Sequence, residues 1–146
     1  MKRFALIILF IAFTVASVVA GELYIDAFFT DNIMLHRDVT AVVVKGKELK
    51  PYKLTSFRSI TITGNAKLAK MALKWITKDA KMASHKEEGI KNGCLQYGFY
   101  VFDSGGNNNR FIFFRVNKPE SDVVADITVV DMTGKATFGE LKQMFK

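Results

Sequence analysis

Five lysines line one side of a helix that the sequence predicts from Asn65 to about Ala83. Their spacings of 3, 4, 4 and 3 residues place them within about 80° of one another on a helical wheel. They are Lys67, Lys70, Lys74, Lys78 and Lys81. Such a row can contact an anionic surface, such as lipid phosphates, lipopolysaccharide or an acidic protein. The simpler interpretation is a solvated helix face, because the opposite side should be buried and offers no apolar membrane anchor.

Asp79 is the exception on this helix, because it falls on the apolar side, between Trp75 and Ala83. The helix dipole also disfavours a carboxylate near a helix C-terminus. Either the helix ends before Asp79, or its carboxylate pairs with a base of the sheet, such as Arg58 or Arg115. A catalytic acid is the alternative. The spacing places no second carboxylate or histidine beside it, so the sequence favours a structural role for this buried acid.

Nucleophilic and metal chemistry have little support in the sequence. Cys94 and His85 are the only pair that resembles a nucleophile and its base, and they lack a recognisable third member or oxyanion loop. The single cysteine also rules out an internal disulfide. His36 and His85 are the only histidines and lack the spacing of paired zinc ligands. We therefore predict no catalytic residue, no metal site and no cofactor.

Aromatic side chains concentrate on two consecutive predicted strands. The candidates for an aromatic interface are Tyr97, Phe99, Tyr100, Phe111 and Phe113. Residues 97–102 partly resemble the aromatic strand on which RNA-recognition domains stack bases. The basic residue and glycine that precede that strand are replaced here by Leu95-Gln96, and the alternation breaks at Tyr100. The sequence therefore predicts no nucleic-acid partner.

The hydrophobic periodicity predicts the elements that must position these residues. Two β-branched or alternating segments precede the helix, and three more follow it. The predicted strands are Thr40–Lys45, Phe57–Thr63, about Cys94–Phe102, Arg110–Val116 and Asp126–Met132. Asn65 is the predicted N-cap of the helix. Residues 22–38 are expected to form a short helix or irregular turn that packs through its aromatic side chains.

The order β-β-α-β-β-β-α predicts an α+β fold. We expect a mainly antiparallel five-stranded sheet, with one long helix packed on a face and a short C-terminal helix. A capping box of Thr137 and Glu140 marks the start of that last helix. The glycines and asparagines between Asp103 and Asn109 predict a hairpin. Either the segment 22–29 or a second subunit could cover the other face of the sheet.

The first twenty residues have the layout of a secretory signal peptide. Lys2 and Arg3 precede an apolar run, and Val18 and Ala20 provide the small residues of a cleavage site. We therefore expect residues 1–20 to be a signal peptide and residues 21–146 to be one α+β domain, with no membrane span after cleavage. The net charge of +7 falls to +5 without Lys2 and Arg3, which is weak support for a polyanionic partner.

Several short motifs resemble those of small secreted proteins of unknown function from Bacteroidota. They include Tyr52-Lys-Leu-x-x-Phe57-Arg58-Ser59, Lys91-Asn-Gly93, Tyr97-Gly98-Phe99-Tyr100, Asn109-Arg110-Phe111-Ile112-Phe113 and Val129-Val130-Asp131-Met132-x-Gly134. The resemblance covers most of the chain after residue 20. It implies a periplasmic or secreted bacterial protein and supplies no catalytic residues.

These observations predict an exported, non-catalytic binding or assembly module that uses an aromatic sheet face or a sheet edge. The expected partner is another envelope protein or a second copy of the chain. One alternative is a binder of anionic envelope surfaces that uses the lysine row. The other alternative is an uncharacterised hydrolase.

Overall fold

The computed structural model describes residues 23–103 and 108–144. Within these ranges, six strands form one antiparallel sheet in the order β1-β2-β6-β5-β4-β3. The strands are β1 (Val39–Lys45), β2 (Leu54–Ile62), β3 (His85–Lys91), β4 (Cys94–Asp103), β5 (Asn109–Val116) and β6 (Ile127–Gly134). The predicted signal peptide (1–20) and the tip of the predicted hairpin (104–107) lie outside the described residues.

The predicted α+β class and antiparallel sheet are confirmed, but the expected number of five strands is wrong. The additional strand is β3, whose sequence His-Lys-Glu-Glu-Gly-Ile-Lys is polar and contains glycine. Such a segment has a weak intrinsic preference for extended structure. It becomes a strand because it pairs with β4 along its whole length, from His85 opposite Val101 to Lys91 opposite Cys94.

The α-helices of the described chain are α1 (Asp31–Met34), α2 (Ala66–Ala80) and α3 (Phe138–Met144). The expectation of one long helix is not confirmed: α2 has 15 residues and ends at Ala80 rather than near Ala83. Asn65 caps α2 as predicted, since its Oδ1 accepts a hydrogen bond of 3.0 Å from the Leu68 N–H. No helix within the described ranges has the length and hydropathy needed to cross a bilayer.

One face of the sheet packs against α2 and a 3-10 helix at Tyr24–Phe29. Leu68, Ala72 and Ile76 of α2 are buried there, as their spacing predicts. Phe28 is fully buried and meets the edge of the Trp75 ring, with ring centroids 5.0 Å apart. Residues 23–38 of the predicted segment therefore pack through their aromatic side chains, and they cover the same face as α2.

The opposite face of the sheet has its own apolar cluster. Helix α3 and a second 3-10 helix, Lys47–Tyr52, contribute Leu141 and Leu49 to it. The predicted capping box of α3 is present: the Glu140 N–H donates to Thr137 Oγ1 at 3.1 Å, and the Thr137 N–H donates to Glu140 Oε1 at 3.0 Å. The chain thus covers both faces of the sheet itself, although the second face only in part.

Candidate functional site

The predicted lysine row lies on the solvent side of the fold. Lys67, Lys70, Lys74, Lys78 and Lys81 are all exposed. Lys81 is the C-cap residue of α2 rather than part of the helix. The Lys78 Nζ lies 5.1 Å from the centre of the exposed Tyr24 ring. The row is therefore available to an anionic surface, and its geometry is equally that of a solvated helix face.

Asp79 is buried on the apolar side of α2, as the helical wheel predicts. Both structural explanations offered for it are wrong: α2 continues through Asp79, Arg58 pairs with Asp26 and Asp131, and Arg115 donates to Asn117. Its carboxylate instead accepts the backbone N–H groups of Tyr24 at 2.8 Å and Ile25 at 2.9 Å. Burial raises the pKa of Asp79, although these two hydrogen bonds partly oppose the rise. Asp79 therefore caps the first 3-10 helix and fixes it to α2.

The aromatic candidates divide between the two faces of the sheet. Tyr100 is buried on the α2 face, where its hydroxyl donates to Glu88 Oε2 at 2.7 Å. Phe99 and Phe111 are buried in the opposite cluster, and the Phe99 ring meets the edge of the Phe138 ring of α3 at 4.8 Å. These three side chains are covered by the chain itself and offer no contact area to a partner.

Tyr97 and Phe113 remain accessible on the part of the second face that α3 does not cover. Tyr97 is 44% exposed and Phe113 is half-buried. Together with Arg115 and Pro119 they border an open cleft of about 380 Å³. The Tyr97 ring lies over Gly89 of β3, where any side chain would collide with it. The aromatic interface is thus reduced to one cleft.

The residues capable of nucleophilic chemistry do not come together. His85 pairs with Val101 and Cys94 pairs with Lys91, at opposite ends of the β3–β4 hairpin. Cys94 and Val101 are seven positions apart along β4, which corresponds to roughly 23 Å. His85 packs against the Phe138 ring at 4.6 Å. Among the described residues, no group of three or more His, Cys, Asp or Glu side chains is arranged to hold a metal.

A cluster of charges that the sequence analysis did not predict lies on the α2 face, beside the first 3-10 helix. We call Asp26, Arg58, Arg110 and Asp131 the charged quartet. Arg110 donates Nε to Asp131 Oδ1 at 2.9 Å and Nη2 to Asp26 Oδ1 at 2.5 Å. Arg58 donates Nε to Asp131 Oδ2 at 2.7 Å and Nη2 to Asp26 Oδ1 at 2.5 Å. Each arginine therefore bridges both carboxylates.

The environment of the quartet fixes its charge. Burial alone would raise the pKa of Asp26, but hydrogen bonds from Arg110 and the Leu23 N–H, with the charges of Arg110 and Arg58, lower it overall. Burial would lower the pKa of Arg110, and the bonds to Asp26 and Asp131 raise it instead. The Arg58 guanidinium also stacks on the Phe29 ring, 4.1 Å from its centre. These contacts attach the first 3-10 helix to the sheet.

A polar cavity of about 260 Å³ opens beside the quartet. Lys45 of β1, Ser56 of β2 and Thr133 of β6 border it together with the quartet. Five charged side chains and two hydroxyl groups border this open space.

The two edges of the sheet form a second candidate region. Edge strand β1 has the sequence Val-Thr-Ala-Val-Val-Val-Lys and pairs with β2 in unbroken register from Val39 to Lys45. Val42 and Val43 are 45% and 52% exposed. Edge strand β3 carries charged side chains along most of its length, and its register shifts between Gly89 and Ile90.

The sequence comparison identifies the family. A family model described as a family of unknown function (DUF6108) matches residues 12–145. The chain belongs to DUF6108. No curated protein and no solved structure matches the chain. The chemistry of this DUF6108 member must therefore be inferred from its own geometry.

The sequence did contain a signal for the charged quartet of the DUF6108 chain. Side chains alternate between the faces of a strand, so Arg58 shares a face with Ile60 and Ile62. Arg110 likewise shares a face with Ile112 and Phe114. Charged residues at positions reserved for buried apolar ones indicate an internal ion-pair network. From the sequence, Arg58 was expected only as a possible partner of Asp79.

Proposed function

We propose that this protein is an exported, non-catalytic assembly module in which β1 of one copy pairs antiparallel with β1 of a second copy. The observation that supports this proposal is the unprotected edge of β1. Natural sheets usually blunt an exposed edge with charges, proline, bulges or a covering element. Within β1 only Lys45 is charged, and it is the last residue of the strand.

The backbone of β1 has donors and acceptors that point away from the sheet. The Thr63 N–H donates to the Asp38 carbonyl at 2.9 Å. In an antiparallel ladder such hydrogen-bonded pairs alternate, so residues 40, 42 and 44 bond to β2. The N–H and C=O groups of Ala41 and Val43 therefore face outward. These are the groups that an added strand uses.

The sequence of β1 is compatible with pairing to itself. The two β1 strands overlap over their whole length only when the two-fold axis passes beside Val42. Val42 of one copy then lies opposite Val42 of the second copy. Ala41 of each copy lies opposite Val43 of the other, so that each pair exchanges two backbone hydrogen bonds. Lys45 lies opposite Val39. No like charges meet, and β-branched cross-strand pairs stabilise such a ladder.

Sedimentation of the chain without residues 1–20 tests the proposal. We expect a concentration-dependent dimer. Val42→Lys places two ammonium groups opposite each other at the axis and should convert the dimer to a monomer. Ile90→Lys is the matched control, because Ile90 is 64% exposed on the other edge strand. This control should remain dimeric.

Two results would overturn the assembly proposal. One is a chain that sediments as a monomer over the whole concentration range while it is folded by circular dichroism. The other is a dimer that Ile90→Lys disrupts and Val42→Lys does not.

The lysine row supports a second candidate, a binder of anionic envelope surfaces. The five side chains are exposed on one side of α2, and none forms an ion pair with the described residues. Each lysine held near an anionic membrane contributes about 1 kcal/mol. We expect Lys70→Glu/Lys74→Glu/Lys78→Glu to abolish cosedimentation with phosphatidylglycerol vesicles or with lipopolysaccharide. Lys47→Glu/Lys50→Glu/Lys135→Glu adds the same charge elsewhere and is the control. Unchanged binding by the helix variant would refute this candidate.

A further inference from the structure

We propose that the cavity beside the charged quartet binds the carboxylate of a small organic acid. The proposal does not rest on pairing through β1. It rests on four side chains that border the cavity and have unused donor capacity: Lys45, Ser56, Arg58 and Thr133.

The carboxylates at the cavity are already satisfied by the arginines. Asp131 accepts Nε of Arg58 together with Nε and Nη2 of Arg110. Asp26 accepts from both arginines and from the Leu23 N–H at 2.7 Å. A cation entering the cavity would compete with guanidinium groups at short range. The acidic side chains therefore do not create a cation site.

The donors at the cavity are less fully used. Arg58 directs Nε and Nη2 to the carboxylates and leaves Nη1 without a partner among the described residues. In the same part of the chain, the Lys45 ammonium and the Ser56 and Thr133 hydroxyls make no hydrogen bond or ion pair. Two cationic donors and two hydroxyls thus border one space. This combination suits an anion, and a guanidinium beside an ammonium suits a carboxylate.

Charge and size narrow the ligand further. Three cations and two carboxylates border the cavity, which leaves one net positive charge for a monoanion to neutralise. The volume of about 260 Å³ lies just below the range of about 300–1,000 Å³ that drug-sized ligands occupy. Hydroxyl-bearing walls favour an acid that carries hydroxyl groups of its own. Sugar acids have these properties.

Nuclear magnetic resonance titration of the chain without residues 1–20 tests this site. The probes are sodium glucuronate, sodium acetate, glucose and inorganic phosphate at constant ionic strength. We expect glucuronate to give saturable shifts of the amides of Lys45, Ser56 and Arg58. Acetate should bind the same residues more weakly, and glucose should leave them unchanged. Phosphate should be a poorer ligand than glucuronate, because the site has one net positive charge.

Lys45→Gln removes one donor charge while keeping the size of the side chain. It should weaken glucuronate binding by about fivefold. Lys47→Gln removes an exposed lysine that does not border the cavity and should bind as the parent does. The proposal is overturned by non-saturable shifts, by shifts centred elsewhere, by tighter binding of phosphate or by an equal loss in both variants. A result of adventitious binding only, with the same shifts for chloride, would overturn it as well.

Discussion

The two edges of the sheet expose similar lengths of backbone and differ in how they are protected. Edge strands β1 and β3 each have seven residues. Strand β3 carries Lys86, Glu87, Glu88 and Lys91 and a register shift, which are features that discourage pairing with another chain. Strand β1 is regular, β-branched and uncharged up to Lys45. The contrast agrees with the proposal that another chain pairs with β1, whereas the features of β3 discourage such pairing.

The polar side-chain interactions that hold the two edge strands also differ. The charged quartet lies on the α2 face near β1 and β2, and Asp131 and Arg110 are only 5% and 10% exposed there. On the β3 side the Tyr100 hydroxyl donates to Glu88, and the exposed Lys142 Nζ of α3 donates to Glu87 Oε2 at 2.9 Å on the opposite face. Burial, followed by the bond to Glu88, raises the pKa of Tyr100, so the phenol stays protonated as the donor. The β1 side of the sheet should therefore depend more strongly on buried charge.

The largest effect is expected from Asp131→Ala. Removal of this carboxylate takes away one of the two acceptors that Arg58 and Arg110 share. Breaking a buried ion pair from one side costs about 3–5 kcal/mol of unfolding free energy. Urea denaturation measures the loss, and Asp122→Ala on the exposed turn is the control. An equal loss of unfolding free energy in the two variants would show that the charged quartet does not stabilise the fold.

A pair of proline variants distinguishes the N–H groups of β1 that bond to β2 from those that face away from the sheet. Val42→Pro removes an N–H that bonds to β2 and should lower the unfolding free energy by about 2 kcal/mol. Val43→Pro removes an outward N–H, so it should preserve folding and abolish the dimer. Urea denaturation and sedimentation together distinguish these outcomes. A stable dimer of Val43→Pro would contradict the proposed hydrogen bonds.

A smaller effect with a defined pH dependence is expected from Asp26→Asn. The loss of charged hydrogen bonds to Arg58 and Arg110 should cost about 1.5 kcal/mol at pH 7. The folded pKa of Asp26 lies below its ordinary value of 3.8. Its contribution is therefore present above pH 3.8 and is lost as the pH falls through the folded pKa.

The stability difference between the parent and Asp26→Asn should consequently shrink between pH 7 and pH 2.5. Urea midpoints at several pH values measure it. The stability difference between the parent and Asp79→Asn should not shrink in this way. The pKa of Asp79 is raised on folding, so its charged form is the disfavoured one. A constant difference for Asp26→Asn would show that its charge is not used.

On the β3 side, Tyr100→Phe removes one hydrogen bond and leaves Glu88, which is exposed, free to bind water. We expect a loss of about 1 kcal/mol. Hydrogen exchange should accelerate in β3 and stay unchanged in β1. Faster hydrogen exchange in both edge strands would mean that the stability of β1 also depends on the Tyr100–Glu88 hydrogen bond.

The smallest effect is expected from making β3 resemble β1. Lys86→Val/Lys91→Val removes two charges from the edge and should change stability by less than about 0.5 kcal/mol. Because the register shift at Gly89 and Ile90 remains, the variant should not gain a second association surface. Larger oligomers in sedimentation would show that charge alone protects this edge.

The elements that could be predicted from the sequence are those whose own side chains specify them. The β-branched residues of Thr40–Lys45 predicted β1, and the Thr137–Glu140 pair predicted the start of α3. Strand β3 could not be predicted, because its residues favour the extended form only when β4 lies beside them. The start of β2 at Leu54 was missed for a similar reason, since its first residues pair with Gly134 of β6 across an irregular register.

The candidate sites were harder to predict than the strands. The burial of Asp79 was correctly expected from the helical wheel, but its partners are backbone N–H groups of Tyr24 and Ile25, which no side-chain pattern reveals. The quartet joins four segments that are far apart in the chain. The alternation of Arg58 with Ile60 and Ile62, and of Arg110 with Ile112 and Phe114, indicated that two of its charges would face inward.

The sequence separations within the charged quartet have a consequence for the order of folding. Asp26 and Arg110 are 84 positions apart, and Arg58 and Asp131 are 73 apart. Contacts between residues so far apart in the sequence form late in folding, because the entropy cost of closing the intervening loop must be overcome first. A nascent chain that has emerged only as far as β5 lacks Asp131 and therefore cannot complete the arginine bridges. We expect vectorial synthesis to end with a cooperative closing step rather than with stepwise consolidation of the sheet.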